Sequence, residues 1–123
     1  MSLASLFWVA VGGALGSVLR ALAGAALGHV RFPWATLGVN VAGSLLIGWV
    51  MARLGGLEPA PAARLQALVV VGFCGGFTTF STFSWQTLDQ MQRGQWGAAL
   101  ANVLLSVVLC LGAVWLGARL AHG

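Results

Sequence analysis

Long oily stretches, interrupted at regular places, set the pattern of this chain. Four segments are built almost wholly of apolar and small residues, at about residues 4–28, 35–54, 65–91 and 96–120. A helix that crosses a bilayer needs about 20 mostly apolar residues, so the pattern predicts four spans joined by short connections. The third segment differs from the others. Its apolar run from Leu65 stops near Phe77, and then Thr78, Thr79, Ser81, Thr82 and Ser84 follow with Phe80 and Phe83 among them and no charge. Gly75 and Gly76 stand just before the change, and paired glycines weaken a helix and let it bend. The prediction is a helix broken near mid-membrane, at about 75–79, that continues to about Met91. Broken backbone at that depth survives only inside protein or beside a wet cavity, and such breaks often mark ion sites. The alternative is a kinked helix whose hydroxyls bond their own backbone.

Spacing adds a second layer. In the first segment Gly12, Gly16, Arg20, Gly24 and Gly28 recur every four residues and share one helix face. Small residues at this spacing let helices approach closely, so the glycines predict a packing stripe. Arg20 lies about 24 Å along the segment at 1.5 Å per residue, near the far interface. It reads either as a snorkelling anchor or as a cation at the mouth of an anion path. The second segment repeats the period with Thr36, Asn40, Ser44 and Gly48, and the fourth with Asn102, Ser106 and Cys110. An amide in mid-membrane must find partners. Asn40 therefore predicts either an interhelical hydrogen bond or a pair of N–H donors facing an anion. The prolines of the 55–63 stretch, Pro59 and Pro61, read as a turn-rich loop, and His29 as a loop histidine.

Composition narrows the class. Of 123 residues 59% are hydrophobic and only 7% charged, against roughly 25% charged in a soluble domain. The chain reads as an all-α integral membrane protein, a single transmembrane domain over residues 1–123 with no separate soluble domain. No basic residue precedes the first apolar run, so that run is taken as a retained span rather than a secretory signal. The net charge of +4 comes from scattered arginines against Glu58 and Asp89, which makes no nucleic-acid patch. Cys74 and Cys110 lie within apolar segments without metal-ligand spacing and read as small buried groups. Four spans put Arg53, Arg64 and Arg119 on one side and Arg31 and Arg93 on the other, joined there by Arg20 if it snorkels. That balance gives the positive-inside rule almost nothing to choose by. Such a chain inserts both ways, and two opposed copies would form an antiparallel, self-complementary dimer.

No catalytic constellation is present: no carboxylate pair, no histidine cluster and no Ser/His/Asp set. No acid sits mid-span, which disfavours proton-driven transport. What remains is a set of neutral donors, namely Thr36 and Asn40, Ser81 and Thr82, and Ser106, together with Phe80 and Phe83 three residues apart on one face. Aromatic rings have positive edges. Ring edges and neutral donors suit weak binding of a small anion that must also leave. In an antiparallel dimer the two breaks would meet, and backbone carbonyls freed at Gly75 and Thr78 would supply four oxygens, a donor set for a hard cation.

The run Gly72-Phe73-Cys74-Gly75-Gly76-Phe77-Thr78-Thr79-Phe80-Ser81-Thr82-Phe83 closely resembles the signature of the small dual-topology fluoride channels, the Fluc or CrcB family. Gly12-Gly13-Ala14-Leu15-Gly16-Ser17-Val18-Leu19-Arg20 and Thr36-Leu37-Gly38-Val39-Asn40-Val41-Ala42-Gly43-Ser44 look like its other two motifs. The resemblance runs in order along the whole chain. It implies a passive fluoride exporter of the bacterial inner membrane, built as an antiparallel homodimer with two pores. By the same resemblance Phe80 and Phe83 are pore phenylalanines, Asn40 the pore asparagine and Ser106 a hydroxyl of the fourth-helix polar track. Gly75 and Thr78 would be carbonyl donors to a central structural sodium, and Arg20 the arginine near the aqueous vestibule. Two positions depart from the family: Cys110 stands where some members have a hydroxyl, and Gln86 where some carry glutamate. The competing classes are a small multidrug exporter, whose first-helix acid this chain lacks, and a non-transporting membrane assembly protein.

Overall fold

In the computed structural model, which describes residues 1–28 and 32–123, the chain is helical throughout and has no strand among the described residues. His29 and Arg31 lie outside the described residues. Helix α1 spans Leu3–Leu27 and α2 spans Trp34–Leu54. The third crossing consists of α3 (residues 59–77) and α4 (Phe80–Gln92), and α5 spans Trp96–His122. Four stretches, Leu3–Leu27, Trp34–Leu54, Pro59–Gln92 and Trp96–His122, are long and apolar enough to cross a membrane. This is a multi-pass membrane protein, and its outer surface is correspondingly rich in exposed leucine, valine and tryptophan.

The third crossing starts at Pro59, not near Leu65. Glu58 is extended and Pro59 opens the helix, where its missing N–H and fixed φ are no handicap. The prolines that mark a loop in the sequence are helix-starting residues in the structure. From Gln66 to Cys74 the helix widens into π turns. This stretch lies against α1 through glycines on both sides. A Cβ on Gly12 would strike the Leu68 carbonyl and the Phe73 amide, the two groups that an i→i+5 turn pairs. A Cβ on Gly16 would strike the Phe73 carbonyl, one on Gly72 the Val9 carbonyl, and one on Gly76 the Gly13 carbonyl. The packing stripe is therefore real at Gly12 and Gly16 but stops there. Among the described residues nothing stands within 4 Å of a Cβ built on Gly24 or Gly28, and both line a cavity instead.

The second helix pair repeats the device. Gly48 of α2 meets the Val114 carbonyl of α5, and Gly117 of α5 meets the Leu45 carbonyl of α2. Gly43 lies over the Thr78 methyl group, which sets α2 across the break. Polar α4 packs its Phe83, Thr87 and Gln90 inward, and Thr87 and Asn102 tie it to α5. The turn from α4 to α5 is tight because Gly94 adopts φ 76°, which L side chains rarely take. At the end that holds both termini, Arg53, Arg64 and Arg119 lie over the rings of Trp49, Trp8 and Trp115. Such Arg–Trp pairs suit the bilayer interface, where an apolar ring and a wet charge meet.

Candidate functional site

The site is built around two residues that are not helical. Thr78 (φ −86°, ψ 159°) and Thr79 (φ −153°, ψ 119°) are extended, whereas Gly75 keeps helical angles. The bend thus falls at the threonines, and Gly76 is small because it touches α1. Three side chains, those of Asn40, Arg20 and Thr79, take up backbone groups released by the break. Thr79 N–H donates to Asn40 Oδ1 at 2.7 Å, and Asn40 Nδ2 donates to the Thr79 carbonyl at 3.1 Å. The amide orientation follows from its partner, since N–H only donates and C=O only accepts. Arg20 Nε donates to the Gly76 carbonyl at 2.9 Å. Thr79 Oγ1 caps α4 by accepting Thr82 N–H at 3.2 Å, while Thr78 Oγ1 adds a second donor, at 2.7 Å, to the Cys74 carbonyl that Thr78 N–H already serves at 3.0 Å.

This has a consequence for the carbonyls. In an uninterrupted helix Thr79 N–H would serve the Gly75 carbonyl and Thr82 N–H the Thr78 carbonyl. Both N–H groups are directed to side chains instead. The Gly75 and Thr78 oxygens therefore lack their usual helical partners.

Two cavities meet at Thr79. The outer one, a vestibule of about 650 Å³, is lined by Arg20, Gly24, Thr36, Thr79, Thr82, Gln86, Asp89, Gln90 and Arg93 among others. The inner one, a groove of about 490 Å³, is lined by Asn40, Ser44, Gly75, Thr78, Thr79, Phe80, Phe83, Ser106 and Cys110 with several aliphatic residues. Among the described residues no carboxylate, guanidinium or imidazole borders the inner groove. The Phe80 and Phe83 rings are 5.4 Å apart and tilted by 54°. Phe83 is buried at 9% exposure while Phe80 is 78% exposed in the single chain.

The structure thus gathers Asn40, Phe80, Phe83 and Ser106 with Gly75 and Thr78 around the inner groove. Arg20, Thr36 and Thr82 belong to the vestibule, and Ser81 borders neither cavity, its hydroxyl lying 3.4 Å from that of Thr79. Arg20 is not simply a snorkelling anchor, because its Nε is bound to the broken helix. Asn40 is not simply a pair of free donors either; one of its N–H groups is engaged, and among the described residues nothing takes the other. Ser106 donates to Asn102 Oδ1 at 3.4 Å, Asn102 donates to Thr87 Oγ1 at 3.0 Å, and Thr87 donates to the Phe83 carbonyl at 2.8 Å. This chain of bonds fixes Phe83 relative to Ser106.

Sequence reasoning passed over Thr79, Thr87 and Gln90 as site residues. A signal was present: Thr79, Thr82, Gln86, Gln90 and Arg93 recur at three- and four-residue steps and line one side of the vestibule.

A family profile described as CrcB-like protein, Camphor Resistance (CrcB), matches residues 7–118. The chain belongs to the CrcB family. Relatives in this family include a protein of Opitutus terrae, 48% identical over 94% of this chain and 91% of its own length. Others are from Magnetococcus marinus, 48% identical over 89% and 91%, and Gluconobacter oxydans, 44% identical over 100% and 88%. Each of the three is named a fluoride-specific ion channel FluC. In CrcB terms, the match takes in every helix that contributes to the vestibule and the inner groove.

Proposed function

We propose that this protein is a passive, fluoride-selective channel that lets the ion leave the cell, and that it acts without catalysis. The observation that carries the reading is the inner groove. It offers a fluoride only neutral donors and aromatic edges: the second Nδ2 proton of Asn40, the rings of Phe80 and Phe83, and the Ser106 hydroxyl once it turns from its long 3.4 Å bond to Asn102 Oδ1. A fixed cation there would hold a small anion too tightly to let it leave, while a series of weak sites permits passage. Arg20 sits outside, in the vestibule, where a positive charge gathers anions without trapping them. The names of the relatives support fluoride as the ion.

The working unit is an antiparallel homodimer in the bacterial inner membrane, with two pores. The 78% exposure of Phe80 and the open inner groove support this reading, because a second copy would cover the ring and close the groove. The near-equal arginine count on the two sides supports opposed insertion. A sodium ion on the twofold axis would be held by the Gly75 and Thr78 carbonyls of both copies. The redirected N–H groups leave these oxygens free for a hard cation, and the ion's role would be to brace the two breaks.

The test is release of fluoride from liposomes holding the purified protein, with potassium shunted by an ionophore and chloride as the control ion. The expected result is fluoride release without chloride release. A silent preparation whose protein is inserted and dimeric would overturn the reading.

A further inference from the structure

Gln90 presents a buried side chain with nothing to bind. It is 4% exposed, yet among the described residues neither its Oε1 nor its Nε2 has a hydrogen-bond partner. Gln86 Oε1, one helical turn away on α4, is buried and unpartnered too. Both residues line the vestibule. Native proteins rarely leave such atoms unmatched unless water or a ligand completes them. The buried polar side chains of Thr87, Asn102 and Ser106, by contrast, bond to one another in series. Among the described residues, every buried side-chain nitrogen or oxygen without a partner belongs to these two glutamines.

The donor set selects the ligand. It consists of one amide NH₂ group and two carbonyl oxygens. A bare anion would use the NH₂ but be repelled by the oxygens. A cation would use the oxygens, but Arg20 and Arg93 share the cavity. A fluoride that still carries two waters satisfies all three atoms, because the ion accepts from Gln90 Nε2 while each water gives one proton to the ion and the other to one of the two oxygens. The Asp89 carboxylate, also on the vestibule, is held by Arg93 Nε at 2.9 Å and so is partly neutralised.

Resting on the fluoride reading given above, we propose that Gln86 and Gln90 form a binding station for half-dehydrated fluoride between the vestibule mouth and the Asn40–Phe80 groove. The station removes part of the hydration shell while holding two remaining waters, each by its second proton. The ion then reaches Thr79 with less left to strip. A neutral station suits this task, since it binds weakly and hands the ion on.

The experiment compares wild type, Gln90→Met, Gln86→Met and the double variant in liposomes, with flux measured across a range of fluoride concentrations. Methionine keeps the volume and removes the amide. Each single variant is expected to raise the half-saturating fluoride concentration about tenfold, the scale of one neutral hydrogen bond. The double variant should be little worse than either, because both residues serve one ligand. Wild-type saturation in Gln90→Met, or losses that multiply in the double variant, would overturn the station. A wild-type protein that carries no fluoride would instead count against the channel reading itself. Should a variant fail to fold, a crystal structure of the wild-type dimer grown in fluoride decides the matter. Density within hydrogen-bond distance of both glutamine amides supports the station, and an empty gap there overturns it.

Discussion

The side-chain amide of Asn40 and the backbone of Thr79 exchange two hydrogen bonds, at 2.7 and 3.1 Å, so a residue of α2 stands in for the helical neighbours that Thr79 has lost. A break in a membrane helix leaves N–H and C=O groups that water cannot reach, and each needs a partner in protein. Asn40→Ala removes both partners at once. The expected cost is about 1–3 kcal/mol for stranding the Thr79 groups, together with a loss of fluoride flux of at least about tenfold. Thermal unfolding of the purified protein and liposome flux check the two halves. An unchanged unfolding temperature would show that the break stands without this brace.

Arg20 has two separable duties. Its Nε bonds the Gly76 carbonyl at 2.9 Å, and its charge lines the vestibule. Arg20→Lys keeps the charge but loses the fixed Nε donor, whereas Arg20→Leu loses both. The lysine variant should recover more of the flux than of the stability. The leucine variant should lose both, with a stability cost of about 1.5–3 kcal/mol for the charge-assisted bond. Raising ionic strength should shrink the flux advantage of wild type over Arg20→Leu, because salt screens the attraction of a wet vestibule. A lysine variant equal to wild type in unfolding temperature would remove the structural duty.

The break itself was legible in the sequence, because an apolar run gives way abruptly to hydroxyl residues at Thr78. What the spacing could not supply was direction. The period-four pattern put Gly12, Gly16, Gly24 and Gly28 in one stripe, but only the first two meet a neighbouring helix; the others face a cavity. Periodicity reports which residues share a face and not what lies opposite. The π turns of Gln66–Cys74 left no mark, since their composition is that of any oily helix. Pro59 reads as loop in the sequence because proline breaks helices internally, although it favours their first turn. The depth of Arg20 suggested snorkelling, yet a released carbonyl at Gly76 offers it a partner within the protein.

The glycines give the most direct contrast. Gly16→Ala would drive a methyl group into the Phe73 carbonyl and the Phe77 amide, both of them backbone that cannot swing aside. The α1–α3 contact must open, and overpacking of this kind costs about 1–3 kcal/mol or more. Gly24→Ala meets nothing within 4 Å among the described residues and gains helix propensity, about 0.5–1 kcal/mol. Unfolding temperatures of the two variants should therefore move in opposite directions. A shared direction would mean that the α1–α3 contact is looser than the geometry states.

The two phenylalanines separate stability from conduction. Phe83 is buried between α4 and its neighbours, and its carbonyl anchors Thr87. Phe83→Ala should lower stability by about 3–5 kcal/mol, as large truncations in a core do, and flux falls with it. Phe80 is 78% exposed in one chain, so Phe80→Ile removes little packing within that chain. Isoleucine is as apolar as phenylalanine but has no ring edge to offer an anion. Phe80→Ile should thus purify and unfold much as wild type does while its fluoride flux drops by about 2- to 12-fold, the scale of one aromatic contact of about 0.5–1.5 kcal/mol acting on a barrier. If Phe80→Ile carries fluoride at the wild-type rate, the ring is a packing element of the dimer and the conducting surface must be sought among the hydroxyl groups alone.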